Sequence, residues 1–93
     1  MTPLREMCNI GEIVAAELEA VGIPDGEALR VTGSVGAAIR LQDSGYDVCK
    51  SKLGGLEGAI RGLTWHFIPT EERAVLWREF EELTTGRSGQ TYR

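Results

Sequence analysis

The most constraining feature of this sequence is a segment in which a helical apolar pattern runs beside a row of glycines. The apolar residues recur at alternating steps of four and three, which predicts one stripe along a helix: Cys49, Leu53, Leu56, Ile60 and Leu63. Gly54, Gly58 and Gly62 follow a second row, each four residues after the last. We therefore predict a central helix that presents bare backbone along one side.

The glycine row predicts close packing because it is otherwise costly. A glycine inside a helix costs roughly 0.8–1.0 kcal/mol relative to alanine, and a domain of this size retains only about 5–15 kcal/mol of net stability. Close approach of a neighbouring helix would offset that cost. We predict that other helices cross the row tightly, that Trp65 lies at the same crossing, and that Gly58→Leu destabilises the fold strongly.

Length and composition indicate one small domain. The chain has 93 residues, of which 42% are hydrophobic, and these suffice for a single compact core. We place the domain at residues 1–84 and expect residues 85–93, where Tyr92 is the only apolar side chain, to form a loose tail. No apolar run approaches the roughly 20 residues that span a bilayer. Because a secretory signal is absent as well, we expect no membrane contact and a cytoplasmic location.

The remaining apolar patterns are helical too. Helices are predicted after Gly11, from Pro24, after an N-cap at Ser34 and after an N-cap at Thr70, and Asp47 is predicted to cap the central helix. Nothing alternates with the period of two that marks a half-buried strand. The predicted fold class is all-α, a compact bundle of five or six short helices.

No catalytic or metal-binding constellation is evident in the sequence. His66 is the only histidine, and neither a second metal ligand nor a triad-like nucleophile accompanies it. Cys8 and Cys49 are too few and too far apart for a zinc site, and we expect both to be small buried hydrophobic residues. We therefore predict no enzymatic activity, no metal and no cofactor.

The turn formed by Asn9, Ile10, Gly11 and Glu12 is a candidate phosphate-binding site. It resembles half of a helix-hairpin-helix unit, in which a glycine-hydrophobic-glycine turn presents backbone amides at a helix N-terminus to a DNA phosphate. Here Asn9 replaces the first glycine, and Glu12 adds a negative charge that competes for the same amides. The alternative is a structural hairpin that packs two helices together.

A candidate basic surface lies in the middle of the chain. Its positive residues alternate with acidic ones: Arg40, Lys50, Lys52 and Arg61 are interrupted by Asp43, Asp47 and Glu57. Arg61 follows Glu57 by four residues, which is the spacing of an intrahelical ion pair. The two interpretations are a solvated mixed face and a nucleic-acid surface. The net charge of −4 disfavours the second, because the field of the whole chain repels polyanions.

The last predicted helix offers a candidate partner surface. Leu76, Phe80 and Leu83 form its apolar stripe, and Trp77 lies on the flank of that stripe among several glutamates. An exposed tryptophan among charges is a frequent anchor at protein interfaces. The alternative is a solvated acidic face without a partner.

Motifs spread across roughly residues 4 to 84 resemble those of the C-terminal domain of TfoX/Sxy, the bacterial competence regulator. In order they are Asn9-Ile10-Gly11, Gly22-Ile23, Val35-Gly36-Ala37, Leu56-Glu57-Gly58-Ala59 with Gly62, then Trp65 and Pro69. The resemblance implies a stand-alone bacterial module whose helical fold is related to helix-hairpin-helix and SAM-like domains. Full-length regulators carry an additional N-terminal domain, so their role in competence gene transcription does not transfer directly.

Two functional hypotheses follow. The first is a non-enzymatic interaction module in a bacterial regulatory process, which binds an unidentified protein partner or a second copy of itself as a homodimer. The second is a DNA-binding module that contacts phosphates through the Asn9 to Glu12 turn and the basic positions between Arg40 and Arg61. The acidic net charge favours the first.

Overall fold

The computed structural model of the chain describes residues 1–88 and their side chains as far as residue 85. Five α-helices follow one another: α1 (Glu12–Ala20), α2 (Gly26–Thr32), α3 (Ser34–Asp43), α4 (Lys50–Arg61) and α5 (Thr70–Ser88). Two short 3-10 turns, Leu4–Glu6 and Trp65–Phe67, precede α1 and α5. Because no described residue lies in a strand, the prediction of an all-α fold is confirmed.

The segment predicted as the central helix is α4. It packs against α2, α3, α5 and the second 3-10 turn, and it shares the centre of the fold with α3, which packs against all four other helices. All five helices, the first 3-10 turn and two connections contribute buried apolar side chains to the core: Leu4, Leu18, Ile23, Leu29, Leu41, Leu53, Leu56, Ile68 and Phe80. The single core explains how a chain of this size supports five helices.

The starts of α2 and α3 differ from the predictions, and in each case a side-chain hydrogen bond, from Asp25 or Ser34, accounts for the difference. Helix α2 begins at Gly26 rather than Pro24, since Oδ1 of Asp25 accepts a hydrogen bond from the N–H of Ala28 at 2.9 Å and so forms the N-cap. Ser34, the predicted N-cap of α3, is the first residue of that helix. Its buried hydroxyl donates to Oε1 of Glu57 at 2.6 Å and links α3 to α4.

The start of α4 also differs from the prediction. Cys49 precedes the helix without a side-chain capping bond, and Asp47 instead accepts a hydrogen bond at its carbonyl oxygen from Nζ of Lys52 at 2.9 Å. Cys8 and Cys49 are both free and exposed, so the prediction that they are buried is wrong. Both lie in connections between helices, where no neighbouring element covers them.

The last helix is longer than the sequence indicated. Helix α5 continues to Ser88, so residues 85–88 of the predicted loose tail are helical. The rest of that predicted tail, residues 89–93, lies outside the described residues.

Glu27 fastens the N-terminal segment to α2. Its Oε1 accepts a hydrogen bond from the N–H of Thr2 at 2.7 Å, and its Oε2 accepts one from Oγ1 of Thr2 at 2.8 Å. The N–H of Gly26 donates in turn to the carbonyl oxygen of Thr2 at 2.8 Å. The backbone N–H of Thr2, followed by its hydroxyl, lowers the pKa of Glu27 from 4.5 to about 2.

We expect this carboxylate to make the stability of the N-terminal segment pH-dependent. A lowered pKa means that the contribution is fully present above 4.5 and is lost as the pH falls through about 2. An NMR titration of the Glu27 side chain should give a midpoint near 2 in the wild type. Thr2→Ala removes the hydroxyl donor but keeps the backbone N–H, and should raise that midpoint. Identical midpoints in the two proteins would contradict the assignment.

Candidate functional site

The side chain of Asn9, which lies before α1, links α4 to the connection that follows α4. Its Nδ2 donates to the carbonyl oxygens of Leu63 at 2.9 Å and Gly55 at 3.3 Å, and its Oδ1 accepts from the N–H of Trp65 at 3.2 Å. The φ of Asn9 is +68°, a left-handed conformation that asparagine tolerates better than most residues. The side chain of Asn9 therefore fixes the connection between α4 and the second 3-10 turn.

The glycine row allows the predicted close approach at Gly58, but the neighbour there is a loop. An ideal Cβ built on Gly58 would lie 2.5 Å from the carbonyl oxygen of Leu63 and 2.6 Å from Nδ2 of Asn9. One turn earlier, a Cβ on Gly54 would lie 3.6 Å from Cδ of Arg73, a residue of α5. The chain thus folds back onto its own helix, and the neighbouring helix contributes only a side chain.

Gly62 does not lie at a helix crossing. Helix α4 ends at Arg61, and Gly62 caps it with φ +74°, as glycines commonly do at helix C-termini. This turn lets the N–H of Leu63 donate to the carbonyl oxygen of Gly58 at 2.8 Å. Gly62 therefore reverses the chain, and the reversal brings Leu63 and Trp65 against the glycine row.

Asn9 and Ile10 of the candidate phosphate-binding turn make contacts that stabilise the fold. Asn9 uses its side chain as described, and Ile10 is buried in the core. Gly11 precedes α1 without a side-chain capping bond, and Glu12 begins that helix with an exposed side chain. A phosphate that approached the first turn of α1 would therefore meet a carboxylate.

Two residues of the candidate basic surface are neutralised by carboxylates. Nζ of Lys52 lies 2.5 Å from Oε1 of Glu17, and these side chains are only 16% and 18% exposed. Arg61 contacts Glu57 at 2.7 Å and Glu72 at 2.6 Å. Its hydrogen bonds to Glu72 and Glu57 raise the pKa of Arg61. Neither cation is available to a phosphate without breaking these pairs.

The other two residues of that predicted surface, Arg40 and Lys50, differ in the contacts of their side chains. NH1 of Arg40 donates to the carbonyl oxygen of Val21 at 3.5 Å and so reaches towards the end of α1. Lys50, at the start of α4, is exposed and has no ion pair or hydrogen bond within the described part of the chain. Neither Arg40 nor Lys50 therefore has a carboxylate partner among the described residues, and the side chain of Lys50 has no hydrogen bond there either.

A groove of about 490 Å³ lies between the start of α4 and one side of α5. Nine residues line this α4–α5 groove: Lys50, Ser51, Trp65, Thr70, Arg73, Ala74, Trp77, Arg78 and Glu81. Both tryptophans of the chain are among them. Three of the lining side chains are cationic and one is anionic, so the groove is locally positive in a chain of net charge −4.

Each aromatic wall of the groove packs against neighbouring side chains. The Trp65 ring centroid lies 4.1 Å from that of His66 and 5.0 Å from the guanidinium carbon of Arg73. The Trp77 ring lies 5.2 Å from the Phe80 ring, and Trp77 is half-buried rather than fully exposed. Trp77 thus contributes both to the core and to a concave surface.

Other kinds of site find little support in the described residues. No group of three histidine, cysteine, aspartate or glutamate side chains in that part of the chain is placed to hold a metal ion. None of the described helices combines the length and hydrophobicity that a membrane crossing requires. His66 is exposed and packs on Trp65.

Comparison with known proteins places the chain in a family. The TfoX C-terminal domain family matches residues 1–80. The chain belongs to this family. The resemblance that the Asn9 and Gly58 motifs carry is therefore confirmed, and no curated protein matches the chain at a significant level.

Solved structures from Listeria monocytogenes share the TfoX C-terminal fold of this chain. A triclinic crystal structure of an uncharacterised protein is 32% identical, with a TM-score of 0.80, over 86% of this chain and 91% of that one. A tetragonal crystal structure of a protein of unknown function is 33% identical, with a TM-score of 0.77, over 85% of this chain and 96% of the other. These similarities establish the fold and leave the biochemical role open.

Sequence reasoning found Lys50, Trp65 and Trp77 but missed that they share one groove with α5. The missing signal lies on the polar side of that helix, where the lining residues Thr70, Ala74, Arg78 and Glu81 recur at steps of four, four and three. This spacing places them on one face of a helix. Because the face is polar, a search for apolar stripes passes over it.

Proposed function

We propose that this TfoX C-terminal domain is a non-enzymatic protein-interaction module and that its partner surface is the α4–α5 groove. The supporting observation is the position of Trp65 and Trp77, which line the same concave surface beside exposed charges. Tryptophans in pockets, surrounded by polar residues, dominate many protein interfaces. The proposal extends the predicted role of Trp77 from one side chain to a groove.

The groove is better suited to binding a partner protein than to catalysing a reaction. A catalytic site needs a base, an orienting group and a position for the reacting atom in one cleft. The groove offers cations, hydroxyl groups and indoles, and its one carboxylate, that of Glu81, is exposed. This composition supports recognition by charge and apolar contact.

The alternative function, DNA binding, draws less support from the described residues. Lys52 and Arg61 are paired with carboxylates, and the turn before α1 carries Glu12. Sequence-independent DNA binding depends on the number of phosphates that free cations neutralise. The arrangement of charges therefore favours a protein partner.

We expect Ala74→Gln to weaken partner binding about tenfold or more, because a longer neutral side chain would fill the groove beside Trp77. Ala74 is exposed within α5, so the substitution is not expected to disturb the core. Ala16→Gln is a matched control, since Ala16 is an exposed alanine of α1 and does not line the groove.

The measurement is quantitative capture of proteins from a lysate of the native host by the immobilised wild type and the two variants. A partner that Ala74→Gln loses and Ala16→Gln retains supports the proposal. Equal capture by all three proteins would refute the groove as the partner surface.

Sedimentation of the same proteins shows whether the partner is a second copy of the chain. Titration with duplex DNA at low salt tests the alternative, and micromolar binding that weakens steeply with added salt would favour it.

A further inference from the structure

The described cations differ in whether their side chains have a partner and in whether that partner is charged. Eight lysines and arginines lie in residues 1–85. Four are in ion pairs, namely Arg5, Arg30, Lys52 and Arg61, and two have hydrogen bonds to neutral oxygens only, namely Arg40 and Arg73. The other two, Lys50 and Arg78, have neither within the described part of the chain, and both line the α4–α5 groove.

We infer that the α4–α5 groove binds an acidic peptide segment of a partner protein, an inference that rests on the proposed function. Carboxylates of the segment pair with Lys50 and Arg78, and an apolar side chain lies between Trp65 and Trp77. The chain has more acidic than basic residues, 14 against 10. Two unpaired cations at the same groove are therefore a local excess of positive charge that an anionic partner complements.

Arg73 strengthens the positive field of the groove without being free to move. Its Nε donates to the carbonyl oxygen of Ile68 at 3.0 Å, and NH2 donates to Oγ1 of Thr70 at 3.2 Å. These acceptors are neutral, so the charge of Arg73 is not cancelled. The lining of the groove therefore carries three cations and one anion, Glu81.

A peptide fits this groove better than a nucleic acid does. Two free cations match a short segment with a few carboxylates rather than the dense phosphate charge of a nucleic acid. The net charge of −4 acts against the latter as well.

The test begins with selection of phage-displayed random dodecapeptides on the immobilised full chain. Enriched peptides are synthesised and titrated while the intrinsic tryptophan fluorescence is recorded. Because both tryptophans line the groove, their emission reports its occupancy directly. We expect enriched sequences to contain aspartate or glutamate on either side of an apolar residue.

Three variants separate the contribution of charge. Lys50→Gln with Arg78→Gln should weaken the enriched peptides about tenfold, because two solvent-exposed ion pairs are lost. Arg5→Gln with Arg30→Gln changes the net charge equally outside the groove and should leave the affinity unchanged. Glu81→Gln should strengthen binding about twofold, since it removes the only anion of the lining.

The outcomes distinguish this inference from the proposed function. Absence of enriched peptides, a consensus without acidic residues, or equal affinity for the Lys50→Gln and Arg78→Gln double variant would overturn the inference. If Ala74→Gln still loses a partner protein from the lysate in those cases, the proposed function stands without an acidic partner. If binding is insensitive to Ala74→Gln as well, the groove is not the partner surface. Tighter binding of a single-stranded oligonucleotide at the same tryptophans would overturn the inference in favour of nucleic acid.

Discussion

Gly58→Ala is expected to destabilise the protein by about 1–3 kcal/mol, although alanine is the better helix former. An ideal Cβ at this position would lie 2.5 Å from the carbonyl oxygen of Leu63 and 2.6 Å from Nδ2 of Asn9. The first of these atoms belongs to the backbone, which a rotamer change cannot move away. Gly58→Leu adds a larger volume at the same place, and its cost should exceed that of alanine.

Urea or thermal unfolding of Gly58→Ala and Gly54→Ala provides the measurement. The two glycines lie one turn apart in α4, but a Cβ on Gly54 would find only ordinary contacts, the nearest at 3.6 Å from Cδ of Arg73. Gly54→Ala should therefore gain helix propensity and stabilise by up to about 1 kcal/mol. Opposite signs for the two variants are the expected result. Equal stability of Gly58→Ala and the wild type would show that the loop after α4 does not press on this glycine.

The sequence located the close contact but misidentified its neighbour. The glycine row predicted that another helix crosses the bare backbone, whereas the atoms nearest a Cβ on Gly58 belong to Asn9 and to the connection after α4. Spacing alone cannot show that Gly62 ends the helix, because a glycine four residues further on fits the row and the C-terminal cap equally well. Once the helix ends there, the chain itself returns to cover Gly58, and no second helix is needed.

The ion pairs were harder to predict from the sequence than the fold was. The contact between Glu57 and Arg61 follows from their spacing of four residues. Lys52 and Glu17 meet across 35 positions, and Arg61 and Glu72 meet across a reversal of the chain. These distant pairs decide which cations remain free. The α4–α5 groove could therefore be recognised only after α4 and α5 had been placed together.

The cysteines show a similar limit. Cys49 begins the predicted apolar stripe of α4, and it was expected to be buried because free cysteines usually are. The helix begins at Lys50, so Cys49 lies before the first turn and is exposed. Periodicity predicts burial only within the element that carries it.

Substitution of Asn9 is expected to have the second large effect, because one side chain satisfies three backbone groups. Asn9→Ala removes hydrogen bonds to Gly55, Leu63 and Trp65 and leaves a residue with a Cβ and no polar group at φ +68°. At about 0.5–1.5 kcal/mol for each of the three hydrogen bonds, the loss should be about 1.5–4.5 kcal/mol, and the left-handed backbone adds to it. Urea unfolding measures this loss.

Two further substitutions separate the causes of that loss. Asn9→Gly accepts the left-handed backbone but keeps none of the hydrogen bonds, so its stability should lie between those of Asn9→Ala and the wild type. Asn9→Asp still accepts from the N–H of Trp65, but its second oxygen faces the carbonyl oxygens of Leu63 and Gly55. A carboxylate in that position repels both acceptors. Asn9→Asp should therefore be strongly destabilised at neutral pH and recover part of its stability when acid protonates the new carboxyl group.

The same substitutions connect the junction at Asn9 to the α4–α5 groove. The N–H that Oδ1 of Asn9 accepts belongs to Trp65, which is one wall of the groove. Under conditions in which Asn9→Gly remains folded, its tryptophan emission should shift, and peptides that bind the groove should bind more weakly. The Ala16→Gln variant, which leaves these hydrogen bonds intact and does not line the groove, is the control. If Asn9→Gly binds groove peptides as tightly as the wild type, the position of Trp65 does not depend on Asn9 and is set by its contacts with His66 and Arg73.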